Sequence, residues 1–169
     1  MSWPTRVGVI ATTLDRELQD RFPFTWWAQG AKFDYPEVAR HLFCKCGSAA
    51  EAFFLRPFAC RAGVTFSVDR AALGPVTVIP QRKALDYSID FAVIKGEMRL
   101  AVEVDGMAFH QRNADQVESD YLRSRRLIAK GWTVVRFTAP EVFRDAGECW
   151  RQLDTILDSR TNSHSSITR

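Results

Sequence analysis

Two apolar segments joined by a three-residue turn constrain the fold of this chain more than any other feature. Residues 87–94 alternate between apolar and polar side chains, and residues 99–104 are mostly apolar. The connection between them, Lys95-Gly96-Glu97, has the length and the glycine expected where a chain reverses between two antiparallel strands. The sequence therefore predicts an antiparallel β-hairpin over residues 87–104.

The alternation along the first strand of this hairpin assigns its side chains to two faces. One predicted face carries Tyr87, Ile89, Phe91 and Val93, and the other carries Ser88, Asp90, Ala92 and Ile94. A tight turn would pair Asp90 with the region between Arg99 and Glu103 of the second strand. Asp90 and Glu103 are therefore expected to lie side by side.

Capping signals and periodicity predict the other helices and strands. The S-x-x-E stretch from Ser48 to Glu51 is a capping box that begins a helix. The predicted elements are a helix from Ser48 toward Ala59, strands over 76–79, 87–94, 99–104 and 132–137, and helices over 114–130 and from Asp145 or Ala146 to Asp158. This α-β-β-β-α-β-α order predicts an α/β fold, with a central mixed β-sheet flanked by helices.

The helix predicted over residues 114–130 has a regular apolar pattern. Val117, Tyr121 and Ile128 lie along one stripe that Leu127 widens, and this stripe is expected to face the core. Gly131 is the predicted end of the helix, because glycine adopts the left-handed conformation that closes many helices.

The length of 169 residues and an apolar content of 46% are enough for one domain with a core. We divide the chain into an N-terminal extension packed on the core (1–46), a main domain (47–160) and a disordered tail (161–169). No run of about 18 apolar residues predicts a membrane span, and no secretory signal is recognisable. A cytoplasmic location is therefore expected.

The net charge of +3 is spread along the chain without a basic block. This balance permits a nucleic-acid partner but does not indicate one. Cys44 and Cys46 form a C-x-C pair, but no second pair stands at zinc-ligand spacing, so reduced thiols are expected rather than a structural zinc site.

The acidic residues at the end of the second hairpin strand are the main candidates for chemistry. Glu103 and Asp105 are two residues apart and project from the same side of the strand, close to the expected position of Asp90. Buried carboxylates that repel one another need protonation or a divalent cation, and Mg²⁺ and Mn²⁺ prefer oxygen ligands. His110 follows and could act as a general acid or base or steady a phosphate.

Several polar residues that could belong to such a site also have an ordinary structural interpretation. Asp105-Gly106 alone is a common turn signal, and the capping box alone accounts for Glu51. Asp120 and Arg123, three residues apart, are first of all a salt bridge within the helix. Arg136, in a buried strand, needs a partner that a carboxylate of the site would supply.

Five linked motifs between residues 87 and 145 nevertheless resemble one known family. They are Asp90-Phe91, Glu103-Val104-Asp105-Gly106, His110, Asp120-Tyr121-Leu122-Arg123 and Gly131-Trp132-Thr133-Val134-Val135-Arg136-Phe137. In order and spacing this stretch resembles the endonuclease-domain proteins related to the very-short-patch-repair endonucleases, within the PD-(D/E)XK superfamily. The resemblance implies a restriction-endonuclease-like core of three layers.

The resemblance also implies roles for the matching residues. Asp90 and Glu103 would hold the metal, together with the backbone carbonyl of Val104. Asp105 stands where the wider superfamily often has lysine, which leaves His110 as the candidate for activating water. Glu51 would point at the site from the first helix as a further catalytic residue. The supporting residues would be Asp120 and Arg123 from the second helix, and Arg136.

The predicted function is a Mg²⁺- or Mn²⁺-dependent DNA endonuclease that nicks or cuts DNA. The alternative is a nuclease-fold module with weak catalysis that binds DNA or a partner in a repair, restriction or mobile-element system. A homodimer or a larger assembly stays open, and Trp26-Trp27 is either an interface anchor or part of the core.

Overall fold

One mixed β-sheet organises the part of the chain that the computed structural model describes, residues 37–106 and 114–159. Four helices lie in these ranges: α1 (Glu37–Lys45), α2 (Ala49–Ala59), α3 (Ala114–Ala129) and α4 (Ala139–Ser159). The six strands are β1 (Thr65–Phe66), β2 (Ala71–Leu73), β3 (Val76–Ala84), β4 (Tyr87–Lys95), β5 (Met98–Asp105) and β6 (Thr133–Thr138). The fold is α/β, as predicted.

The strands lie in the sheet in the order in which they occur in the chain. Strands β1 to β5 pair antiparallel, whereas β6 runs parallel to β5 after the crossover through α3. The predicted hairpin is confirmed, with β4 and β5 paired from Lys95 opposite Met98 to Phe91 opposite Val102.

The predicted order of elements differs from the structure at its beginning. Strands β1 and β2, with two and three residues, come between α2 and β3 and were not predicted, because such short segments have no measurable periodicity. Strand β3 also continues beyond Pro80, which the sequence had marked as its end. Arg82 opposite Ile89 restores the same pairing register, so the strand reaches Ala84.

Helices cover the sheet on both faces. The main core combines side chains of α1, α2 and α4 with one face of β2 to β6. At its centre the Phe54 ring lies 5.0 Å from the Phe91 ring and 5.1 Å from the Trp150 ring, and the indole N–H of Trp150 donates to the Phe54 carbonyl at 2.6 Å. Helix α3 covers the opposite face through a smaller cluster of Leu127, Ile89 and Ala101.

This second cluster corrects two predictions. Ile89 packs under α3 while Phe91 and Val93 belong to the main core, so the expected alternation is interrupted between Ile89 and Phe91, at Asp90. The predicted core-facing stripe of α3 is also wrong. Leu127 is buried, but Val117, Tyr121 and Ile128 are exposed, because the helix rests on the sheet through a neighbouring side.

The predicted helix boundaries after β5 are largely confirmed. Gly131 ends α3 with a positive φ of 80°, and the N–H of Trp132 donates to the Leu127 carbonyl at 3.1 Å. Helix α4 is two helical segments joined at Asp145, whose backbone is extended and whose carboxylate accepts from the Glu148 N–H at 2.9 Å. The predicted start at Asp145 therefore holds for the second segment.

Several predictions fall outside the described residues. These are the position of His110, the extension up to residue 36 with its two adjacent tryptophans, and the tail over 161–169, so the division into domains stays a prediction. In the ranges that are described, no helix is long and apolar enough to cross a membrane.

Candidate active site

The candidate site lies where β4 and β5 stop pairing. Beyond Phe91 opposite Val102, the backbone ladder ends, and the Asp90 side chain takes its place. Oδ2 of Asp90 accepts a hydrogen bond of 2.8 Å from the backbone N–H of Val104. This bond fixes Asp90 against the segment that carries Glu103 and Asp105.

Glu103 is the more deeply buried of the two central carboxylates, with 6% of its surface exposed. Its Oε1 accepts from Nη2 of Arg123 at 2.7 Å. The same nitrogen donates to the carbonyl of Ser88, and the guanidinium lies 5.5 Å from the centre of the Tyr87 ring. Arg123 thus connects α3 to both strands of the hairpin.

This contact corrects the interpretation of Arg123 as first of all a helix partner of Asp120. Its ion pair is with Glu103, twenty residues away in the chain. Spacing along a helix identifies only local partners, whereas the crossover from β5 through α3 brings Arg123 over the sheet. Nε of Arg123 is buried and has no hydrogen-bond partner among the described residues, so within them this guanidinium is incompletely satisfied.

The electrostatic environment favours the protonated forms of both central carboxyls. Burial raises the pKa of Glu103 to about 7, and the charge of Asp90 adds to the shift, against the opposing effect of Arg123. Burial likewise raises the pKa of Asp90 to about 6, although the Val104 N–H stabilises its ionised form and Glu51 disfavours it. A cation beside the two carboxylates would offset this cost and favour their ionised forms.

Glu51 approaches this pair from α2. It belongs to the predicted capping box, which is confirmed: Ser48 caps the helix, and its side chain accepts from the Glu51 N–H at 3.2 Å. Oε1 of Glu51 accepts from the Ser48 hydroxyl at 3.0 Å, and Oε2 accepts from the Gly47 N–H at 2.7 Å. Its repulsive effect on Asp90 places this buried carboxylate near the site, in addition to its role as a cap.

Gln81 is a site residue that the sequence analysis missed. Its Nε2 donates to Oε2 of Glu51 at 2.7 Å, and its Oε1 accepts from the Ser88 hydroxyl at 2.9 Å. Gln81 has a φ of 48°, in the left-handed region that few non-glycine residues adopt. The sequence signal next to Gln81 was Pro80, which had been interpreted as the end of the strand.

Ser88 therefore connects both sides of the site. Its hydroxyl reaches Glu51 through Gln81, and its backbone carbonyl accepts from Arg123, which holds Glu103. A single residue of β4 thus contacts both Gln81 and Arg123, the side chains that donate hydrogen bonds to Glu51 of α2 and Glu103 of β5.

The remaining predicted residues lie at the edge of this group. Oδ2 of Asp105 is 3.5 Å from Nη1 of Arg136, whose other terminal nitrogen donates to the Ser124 hydroxyl at 3.1 Å. The prediction that a carboxylate of the site would satisfy Arg136 is confirmed in this weak form. Asp120 lies on α3 and is half-buried, and His110 lies outside the described residues.

The donor set fits a hard divalent cation only in part. No three His, Cys, Asp or Glu side chains within residues 37–106 and 114–159 form a group that could hold a metal ion. Asp90 and Glu103 each use one oxygen in the contacts above, and the other carboxylate oxygen of each accepts no hydrogen bond from this part of the chain. Two such oxygens suit Mg²⁺ or Mn²⁺, which keep several waters when bound.

Comparison with known proteins supports a nuclease-like domain. Residues 72–157, just over half of the chain, match the restriction-endonuclease-like family REase_MTES_1575. An uncharacterized protein of Haemophilus influenzae is 33% identical over 79 residues, which cover 47% of this chain and 62% of that protein. No solved structure matches the chain. The family match runs from β2 into α4 and includes Asp90, Glu103 and Arg123, so the chain belongs to the restriction-endonuclease-like family REase_MTES_1575.

Proposed function

We propose that this protein is a divalent-metal-dependent endonuclease that hydrolyses phosphodiester bonds of DNA. The observation that carries the proposal is the pair formed by half-buried Asp90 and buried Glu103, whose pKa values are both raised, within a restriction-endonuclease-like domain. We also assign the domain to the PD-(D/E)XK superfamily, in the branch of the very-short-patch-repair endonucleases. The order of the motifs around these two residues supports that finer assignment.

In this proposal Asp90 and Glu103 hold Mg²⁺ or Mn²⁺, and the carbonyl of Val104 is the third protein ligand. The metal would neutralise phosphate charge and lower the pKa of a bound water. The Asp90–Val104 hydrogen bond supports this arrangement, because it fixes one carboxylate beside the backbone that supplies the other ligands.

The chain's own cations would balance the charge of the scissile phosphate. Arg123 is held at the site by Glu103 and has an unsatisfied Nε, so a phosphate is a better-matched partner for its guanidinium than the present contacts. Arg136 approaches from β6 beside Asp105. Asp105 would orient water, and His110 would accept or donate the proton.

Basic side chains next to the site support a nucleic-acid substrate. Arg82 lies opposite Ile89, close to the turn of the β3–β4 hairpin. Because Ile89 packs under α3, Arg82 is on the face of the sheet that α3 covers. From α3, Nη1 of Arg126 donates to the Tyr87 hydroxyl at 2.9 Å. Arg82 and Arg126 thus lie on the same side of the sheet as Arg123, from which cations could contact the phosphates of a DNA backbone.

A second candidate function is a DNA- or partner-binding module in which cleavage is weak, in a repair, restriction or mobile-element system. The ion pair between Glu103 and Arg123 favours this alternative, because it occupies one oxygen of a proposed metal ligand. The absence of a three-ligand group among residues 37–106 and 114–159 favours it too.

A plasmid assay separates these two functions. Supercoiled DNA is incubated in Mg²⁺, Mn²⁺ or EDTA with the wild type, Asp90→Ala, Glu103→Ala and the control Glu97→Gln. Glu97 is an exposed carboxylate in the β4–β5 turn, at the other end of the same hairpin. The nuclease predicts metal-dependent nicking by the wild type and Glu97→Gln alone, whereas DNA binding in EDTA without cleavage in any metal supports the binding module.

A further inference from the structure

Helix α3 exposes an unusual number of apolar side chains. Six large apolar residues are exposed in the described part of the chain, and four lie on this helix: Val117, Tyr121, Leu122 and Ile128. Tyr121 is 62% exposed and Ile128 is 58% exposed, whereas Leu127 is the side chain that the helix buries against the sheet. A cluster of this kind on one helix indicates a contact surface, because single exposed apolar residues are usually scattered.

Three of these side chains form one stripe. Residues four and eleven positions apart on a helix are rotated by only about 40° and 20° from one another. Val117, Tyr121 and Ile128 therefore lie in line along one side of α3. Glu118 and Arg125, both exposed and seven residues apart, form one edge of this stripe.

The stripe and its charged edge are complementary to a second copy of themselves. When two α3 helices pack antiparallel about a two-fold axis, a residue near the start of one helix faces a residue near the end of the other. Val117 then lies opposite the partner's Ile128, and Glu118 lies opposite the partner's Arg125. Symmetry repeats both contacts, so the apolar and charged parts of the surface are matched together.

We propose that the protein forms a two-fold symmetric homodimer in which the α3 helices pack antiparallel through Val117, Tyr121 and Ile128. The central tyrosine is typical of the core of an interface, and the two Glu118–Arg125 pairs lie at its edge. DNA is a poorer occupant of this surface, since the stripe is uncharged and the opposite charges of Glu118 and Arg125 at its edge give no net attraction for phosphates. The dimer does not depend on whether the site cleaves DNA.

Light scattering during size-exclusion chromatography tests the dimer directly. The wild type is expected to have the mass of two chains, and Tyr121→Glu and Ile128→Glu the mass of one. These side chains are exposed, so circular dichroism and the melting temperature should stay unchanged apart from the loss of association. A wild type with the mass of one chain at about 100 µM overturns the proposal, since a stable dimer of this kind associates well below that concentration.

A charge exchange tests the orientation of the two helices. Glu118→Arg and Arg125→Glu each place like charges at both edge contacts, so each is expected to weaken association by about tenfold or more. An equimolar mixture of the two variants restores opposite charges at both contacts and should form a heterodimer, detected by native mass spectrometry. Failure of the mixture to associate more tightly than either variant alone overturns the antiparallel arrangement.

Discussion

Oδ2 of Asp90 accepts a 2.8 Å hydrogen bond from the backbone N–H of Val104, at the point where β4 and β5 separate. The bond replaces a backbone contact of the hairpin. It fixes the position of Val104 and therefore of Glu103 and Asp105, the residues before and after it in the strand. Asp90 therefore has a structural role as well as its proposed role as a metal ligand. Asparagine keeps an acceptor for this bond, so Asp90→Asn removes the charge with the least disturbance.

The raised pKa values predict that pH affects the stability of the metal-free protein. Burial raises the pKa of Glu103 to about 7, so the folded state binds this proton more tightly than the unfolded chain. The resulting stabilisation is complete below the unfolded pKa of about 4.3 and is lost as the pH rises through about 7. Relative to Glu103→Gln, which does not ionise, the wild type should lose on the order of 3 kcal/mol between about pH 4 and pH 8.

Urea unfolding of both proteins at the two pH values measures this difference. Parallel changes in the wild type and Glu103→Gln would show that Glu103 is not protonated in the fold. The comparison is necessary because Glu141, Asp145 and Glu148 have lowered pKa values, and their contribution, lost as the pH falls, is common to both proteins.

A divalent cation should reverse this loss of stability. At a metal concentration about 100 times its Kd, binding to the folded state alone stabilises it by about 2.7 kcal/mol. The increase in melting temperature with Mn²⁺ should be larger at pH 8 than at pH 5, because protons compete with the metal for Asp90 and Glu103. An equal increase in the melting temperature of Asp90→Asn would show that the metal binds at a site other than Asp90.

Gln81→Ala should impair cleavage more than folding. The substitution removes the 2.7 Å hydrogen bond to Glu51 and leaves the Ser88 hydroxyl without its acceptor. The expected loss is about 10- to 100-fold in cleavage rate, as for residues that position a metal site, with about 1 kcal/mol of stability. The control is Gln152→Ala, an exposed glutamine whose amide donates to Glu148. Equal cleavage by the two variants would remove Gln81 from the site.

Arg123→Met should shift the pH dependence of cleavage. The guanidinium lowers the pKa of Glu103, so its removal raises that pKa further and leaves the carboxyl protonated to a higher pH. The acidic limb of a plot of cleavage rate against pH is expected to move upward by about one pH unit. Arg144→Met, at an exposed arginine of α4, is the control, and identical profiles for both variants would contradict the proposed coupling.

The parts of the fold that depend on local sequence could be predicted. The short Lys95-Gly96-Glu97 turn determined the hairpin, the Ser48–Glu51 capping box determined the start of α2, and Gly131 determined the end of α3. In each case, the interacting groups are within a few residues of one another, so the sequence contains all of the information that is needed.

The errors arose where a distant element decides the outcome. The apolar stripe of α3 was evident, but periodicity does not say which side of a helix rests on the sheet, and Leu127 rather than Tyr121 is buried. Alternation placed Ile89 with Phe91, but the separation of β4 from β5 at Asp90 sends the two side chains to opposite faces.

The same limit applies to the candidate site. The proximity of Asp90 and Glu103 could be predicted because they share one hairpin, and the charge of Asp90, which raises the pKa of Glu103, agrees with it. The Arg123–Glu103 ion pair and the Gln81–Glu51 hydrogen bond join residues 20 and 30 positions apart, in different elements. Only the assembled sheet and helices bring those pairs together.

Calorimetric titration of Mn²⁺ into the wild type, Asp90→Asn and the control Glu97→Gln tests the central claim most directly, with plasmid cleavage measured on the same samples. We predict that the wild type and Glu97→Gln bind the ion and nick DNA, and that Asp90→Asn loses both properties while keeping its circular dichroism spectrum. Undiminished metal binding and cleavage by Asp90→Asn would contradict the assignment of Asp90 and Glu103 as the metal site of a nuclease.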